Sequence, residues 1–154
     1  MRNKAVAAAV FAAAFGIAFQ ATADDRLVRF DGGIGVVPAR VGGVANTVRG
    51  TPPGGQPWVI SRLSADVRTD GGISVDGRGL LLAGGDTIGT TNGLSVKARL
   101  FCGATFFDSQ VVPLEPDGDF RIEGELTGLP AQCDSPVLLI VSAGGNWFAA
   151  GILK

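Results

Sequence analysis

The stretch Leu94-Ser-Val-Lys-Ala-Arg-Leu-Phe-Cys102 alternates and ends on a cysteine, and it constrains the fold more than any other part of this chain. At strand period Leu94, Val96, Ala98, Leu100 and Cys102 share one face, while Ser95, Lys97 and Arg99 take the other. The second cysteine opens a different run, Cys133-Asp-Ser-Pro-Val-Leu-Leu-Ile-Val141, which is nearly all apolar and does not alternate. That pattern suits a central strand covered on both faces. The chain has no other cysteine. One disulfide, Cys102–Cys133, pinning two core strands is the reading. Closing a loop of about 30 residues stabilises by roughly 3–4 kcal/mol on a chain-entropy account.

A disulfide requires an oxidising compartment, and the N-terminus offers a route to one. Arg2 and Lys4 precede an apolar run, Ala5 to Phe19, and Ala21-Thr22-Ala23 supplies a small-x-small cleavage pattern. Residues 1–23 are read as a signal peptide that is removed, and 24–154 as a single domain, secreted or periplasmic, with no membrane span left after cleavage. The segment carries two bases and no acid, so the remainder is mildly acidic. Nothing in that balance favours nucleic acid as a partner.

Beyond the leader, no stretch of ten residues keeps a 3.6 period. Short apolar or alternating runs recur instead, punctuated by Gly, Pro, Asn and Asp. Leu27–Phe30 and Ile34–Val37, split by Asp31-Gly-Gly33, read as an edge hairpin, and Val44–Arg49 as another strand. Thr51–Pro57 is a loop by its prolines and glycines. Trp58–Thr69 alternates, with Val59, Leu63, Ala65 and Val67 on the core face, and Asp70-Gly-Gly72 turns it into Ile73–Asp76. Gly77 and Gly79 signal a bulge or bend before Leu80–Ala83. Phe120, Ile122, Gly124 and Leu126 alternate after the Glu115–Asp119 turn, and Ala143-Gly-Gly145 joins a last pair of strands. About ten short strands of this kind predict an all-β domain, a β-sandwich with Greek-key or immunoglobulin-like connections.

Histidine and tyrosine are absent, which removes the Ser-His-Asp triad, the Cys-His pair and His-ligated zinc. A disulfide removes the thiolate as well. The single carboxylate cluster is Glu115, Asp117, Asp119 and Glu123. Its glycine sits between the acids, not after the third, so the register is wrong for a calcium loop and a hairpin tip is the better reading. No metal or cofactor is expected. Asp66, Asp70 and Asp76 allow a hydrolytic carboxylate pair to be imagined, although turn and surface roles account for them. Trp58 and Trp147 invite a carbohydrate-platform reading. Trp147, amid Phe148 and Ala149, belongs in the core, and Trp58 stays open between the two.

Exposed apolar surface is the remaining signal. Leu80-Leu81-Leu82 and Val137–Val141 carry apolar residues in both strand directions, and Phe106-Phe107 point one ring each way. Leu80, Leu82, Leu138, Ile140, Phe106 and Phe107 are therefore the candidate interaction surface, unless loops cover them internally.

Gly55-Gln-Pro-Trp-Val-Ile60, Gly77–Gly85, Arg99-Leu-Phe-Cys102, Cys133–Ile140 and Asn146–Gly151 together resemble small exported bacterial proteins of uncharacterised function. The resemblance implies an exported bacterial context and no particular activity. The expectation is a non-enzymatic exported protein that binds a protein, a surface or itself, as a possible homo-oligomer. The alternative is a carboxylate-dependent extracellular hydrolase of glycosidase type.

Overall fold

A computed structural model describes residues 25–154; the expected signal peptide and its cleavage point lie outside them. The described residues form strands and no helix: β1 (Arg26–Gly35), β2 (Arg40–Val41), β3 (Val44–Ala45), β4 (Trp58–Val59), β5 (Arg62–Arg68), β6 (Gly72–Arg78), β7 (Leu81–Leu82), β8 (Ser95–Cys102), β9 (Thr105–Asp108), β10 (Val112–Pro113), β11 (Phe120–Glu125), β12 (Val137–Ser142) and β13 (Trp147–Leu153). The protein is all-β, and its ladders are antiparallel.

One sheet holds nine of the strands in the order β10-β8-β12-β13-β1-β5-β6-β11, with β9 also against β8. β9 and β10 run along the same edge of β8, pairing Asp108 with Arg99 and Val112 with Val96. They amount to one edge strand broken at Ser109. At the break the Ala98 amide donates to the Ser109 hydroxyl at 2.9 Å, and the Ser109 amide donates to the Ala98 carbonyl at 2.9 Å. The hydroxyl thus satisfies a ladder donor that the bulge would orphan. The sheet curls until its ends meet, with β10 against β11 and the Gln110 amide donating to the Glu123 carbonyl. The two layers expected of a sandwich are the halves of one curled sheet.

Strand period explains the filling. Leu63, Ala65 and Val67 of β5, Ile73 and Val75 of β6, Val96, Ala98 and Leu100 of β8, and Ile122 of β11 are all buried in one cluster with Phe30. The Asp70-Gly-Gly72 hairpin and the β12–β13 pair form as their sequences predict. The disulfide joins Cys102 at the end of β8 to Cys133, with Cα atoms 4.7 Å apart.

Two local readings change. Residues 26–35 form one strand in the interior of the sheet, not an edge hairpin: the first half pairs with β5 and the second with β13. Gly32, at φ 101°, accommodates the register shift between the halves. The long alternating segment also breaks after Val59. Trp58 is buried and Val59 is half exposed, the reverse of the expected phase, whereas Leu63, Ala65 and Val67 keep theirs. Val44–Arg49 is a strand only over its first two residues.

The apolar run of β12 is explained by a strap. Leu138 and Ile140 pair with Leu100 and Ala98 and share the inner face, while Leu139 and Val141 pair with Arg99 and Lys97 on the outer face. Residues 46–57 cross that outer face. The Trp147 amide donates to Pro52, the Gly54 amide to Trp147, and the Trp147 indole N–H to Asn46, at 2.8, 2.9 and 3.2 Å. Arg49 donates to the Gly103 and Ser135 carbonyls and lies over the Phe101 ring. Leu139 and Val141 are fully buried as a result, and Leu138 and Ile140 are fully buried inside the sheet. Leu80 and Leu82 are buried too, pointing inward together while Leu81 is half-buried. Four of the six residues expected on an interaction surface are therefore core. The chain covers its own second face, and those residues offer no surface for association.

Candidate functional site

Phe106 keeps an exposed ring, 49% accessible, with the Arg99 guanidinium 4.0 Å from its centroid. Phe107 packs against the core. One exposed ring beneath its own cation does not make an apolar patch.

The acids are committed locally. Asp119 accepts from Arg78 at 2.7 Å and from the Gly79 amide at 3.0 Å, Asp117 accepts from the Asp119 amide, and Glu123 accepts from the Ser74 hydroxyl at 2.8 Å. Glu115 closes the turn through its backbone. These side chains serve different neighbours, and no cluster of three potential metal ligands occurs among the described residues. Asp66 pairs with Arg26, Asp70 with Arg68, and Asp76 with both Arg78 and Arg121. The Gly72 amide holds Asp70 below the ordinary carboxylate range, and Arg78 does the same for Asp76 and Asp119. Carboxylate-pair hydrolysis needs one acid held protonated near neutrality; here the shifts run the opposite way.

A second polar group lies at the margin of the strap. Asp108 accepts from Arg99 through both oxygens, at 2.7 and 2.8 Å, and pairs with Lys97 at 2.8 Å. Burial raises its carboxyl, and the hydrogen bonds from Arg99 and Lys97 outweigh that, so the net shift is downward. The two cations, placed by period on the face opposite Val96 and Leu100, are about four-fifths covered. All three charges of the trio are engaged with one another, and it is structural.

An uncharged concave site of 340 Å³ lies where the strap meets β4, the turn before β8 and the β12–β13 turn. Its lining includes Gly54, Gln56, Trp58, Asn92, Asn146 and Phe148, and no lining residue is charged. The floor is Trp58 stacked on Phe148, with centroids 4.2 Å apart and planes 16° from parallel. β13 supplies one ring and β4 the other; the Trp58 amide donates to Val36, and the Val36 amide to Phe148, so Val36, just past the end of β1, ties them together. Gly54 lies flat on this floor. A Cβ there would stand 2.9 Å from the Phe148 ring and 3.4 Å from the Trp58 indole nitrogen.

The polar groups divide into held and free. The Asn146 amide group donates to Pro53 at 3.1 Å, and its backbone N–H donates to the Ser142 hydroxyl. The Gln56 and Asn92 side-chain amides have no hydrogen-bond partner among the described residues. Nor does the Trp58 indole N–H, although the residue is only 3% exposed. The other indole, Trp147, donates within the protein. A tryptophan this deeply buried usually satisfies its N–H internally; this one faces the pocket beside Gly54.

Sequence reading singled out Trp58 and missed the rest. Its ring cannot act as a stacking platform, because Phe148 and the surrounding chain leave neither face open. Gln56, Asn92 and Asn146 sit in Gly- and Pro-rich loops whose polar residues read as turn chemistry, so nothing in their spacing marked a site. Comparison with protein-family models, curated proteins and solved structures finds no match.

Proposed function

We propose that this is an exported protein that acts by binding, not by catalysis, and that its ligand site is the neutral pocket over the Trp58–Phe148 stack. The observation that carries this reading is the Trp58 indole N–H, unpartnered at the floor of an uncharged concavity. The residue is buried, yet its indole nitrogen still reaches solvent at the pocket, where a ligand acceptor can take the place of water. A cavity of 340 Å³ falls at the small end of ligand sites. The Cys102–Cys133 bond supports an oxidising compartment, and the leader-like residues 1–23 support export with cleavage after Ala23. No helix among the described residues is long and apolar enough to cross a membrane.

Screening a library of small neutral, cationic and anionic molecules by NMR tests the reading. Bound molecules should perturb Trp58, Asn92 and Asn146 together. Perturbations confined to the charged β6–β11 face would overturn it. N-terminal sequencing of the exported chain should begin at Asp24.

A further inference from the structure

We infer that the ligand of this pocket is a neutral carbohydrate, held through its hydroxyl groups and not by ring stacking; this rests on the pocket being the binding site. Each competing class fails on a named feature. A charged ligand finds no counter-ion, because no lining residue carries charge. An apolar ligand would bury the Trp58 N–H and leave it unpaired, at a cost. An extended peptide needs a free strand edge for backbone pairing. The strands lining the site offer none facing it: Trp58 pairs with Leu82 of β7, and β12 runs between β8 and β13.

Sugar hydroxyls match what is left. Each donates and accepts, as do the side-chain amides of Gln56 and Asn92, which have no hydrogen-bond partner among the described residues. The Ser142 hydroxyl accepts from Asn146 and keeps its own proton to donate. The Trp58 N–H adds a donor at the floor, and Leu82 and Leu94 offer apolar wall for the C–H edges of a pyranose. Gly54 keeps the donor reachable. A side chain there would press on Phe148 and come within van der Waals distance of the indole nitrogen.

The test follows the two indole N–H resonances in the 15N-labelled exported protein. The titrants are neutral mono- and disaccharides (glucose, galactose, mannose, N-acetylglucosamine, maltose, cellobiose), with glucuronic acid and glucosamine as charged counterparts. At least one neutral sugar should shift the Trp58 resonance saturably and leave Trp147 in place. Trp58→Phe keeps a ring against Phe148 and removes the donor with part of the buried indole, so it should weaken that sugar about tenfold, the worth of one hydrogen bond, and also lower the melting temperature. Gln56→Ala, at an exposed side chain, should weaken it without touching the stack. A charged counterpart binding as tightly would overturn the carbohydrate assignment. So would a shift of Trp58 by N-methylacetamide with none by any sugar, though binding at the pocket would then stand. If no titrant of any class moves Trp58, both the assignment and the pocket reading fall.

Discussion

Asp108 faces Arg99 directly across the β8–β9 pair and holds its guanidinium through both carboxylate oxygens, with Lys97 on the same carboxylate. Two cations and one anion, each roughly four-fifths covered, share one site beside the strap. Asp108→Asn should therefore cost more than removal of either cation. A loss of roughly 2–3 kcal/mol in urea unfolding is expected, below the 3–5 of a fully buried pair because solvent still reaches all three. Lys97→Met should cost under about 1 kcal/mol, since Arg99 still neutralises the acid.

The pH dependence follows from the same acids. Asp31, Asp70, Asp76, Asp108 and Asp119 all lie below their ordinary value of 3.8 in the folded state. A lowered carboxyl contributes stability that is complete above the unfolded value and is lost as pH falls through the folded one. Urea midpoints should thus drop as pH falls below about 4. With no histidine in the chain, they should stay nearly flat between about pH 5.5 and 8. A transition near pH 6.5 would contradict this.

Gly118 separates two reasons for a glycine. Its φ is 84°, and a Cβ there would stand 2.6 Å from the backbone nitrogen and oxygen of Leu80. Gly128 has a similar φ of 78° with open space around it. Gly128→Ala should cost about 1–2 kcal/mol, the backbone term alone. Gly118→Ala adds a clash with main chain that cannot rotate away, so its loss should be larger by about 1–3 kcal/mol. Equal melting temperatures would show that the approach to Leu80 relaxes freely.

Arg49 latches the strap through Gly103 and Ser135 and packs over Phe101. Arg49→Ala should lower stability by about 1–2 kcal/mol and speed proteolytic cleavage and amide exchange within residues 46–57 ahead of the sheet. Uniform acceleration over the whole chain would mean that the strap and the sheet open as one unit.

Replacing both Cys102 and Cys133 by Ala should reduce stability by about 2–5 kcal/mol and leave the fold in place, since Val96, Ala98 and Leu100 of β8 and Leu138–Val141 of β12 are buried apolar residues. Circular dichroism and thermal melting with and without reductant should then differ for the native chain and coincide for the double variant.

Local chemistry carried most of the fold. Period 2 marked the inner faces of β5, β6, β8 and β11, Asp-Gly and Gly-Gly marked their turns, and two cysteines, one ending β8 and one a few residues ahead of β12, located the disulfide. These properties are legible because each depends on residues a few positions apart. The sequence could also say that Val137–Val141 must be covered on both faces, which Leu139 and Val141 require. What covers it, and what the pocket presents, was decided by tertiary structure. The strap is a Pro- and Gly-rich loop until Trp147 and Arg49 tie it across β12, and only then are Leu139 and Val141 covered while Leu138 and Ile140 face the inside of the curled sheet. The pocket brings together Gln56, Trp58, Asn92 and Asn146 from three separate segments. Gln56, Asn92 and Asn146 had an ordinary local reading as turn residues, and Trp58 stood open between core and a stacking platform. Which of their hydrogen bonds the protein satisfies for itself, and which it leaves to a ligand, is a property of non-local geometry that strand period and turn chemistry do not encode.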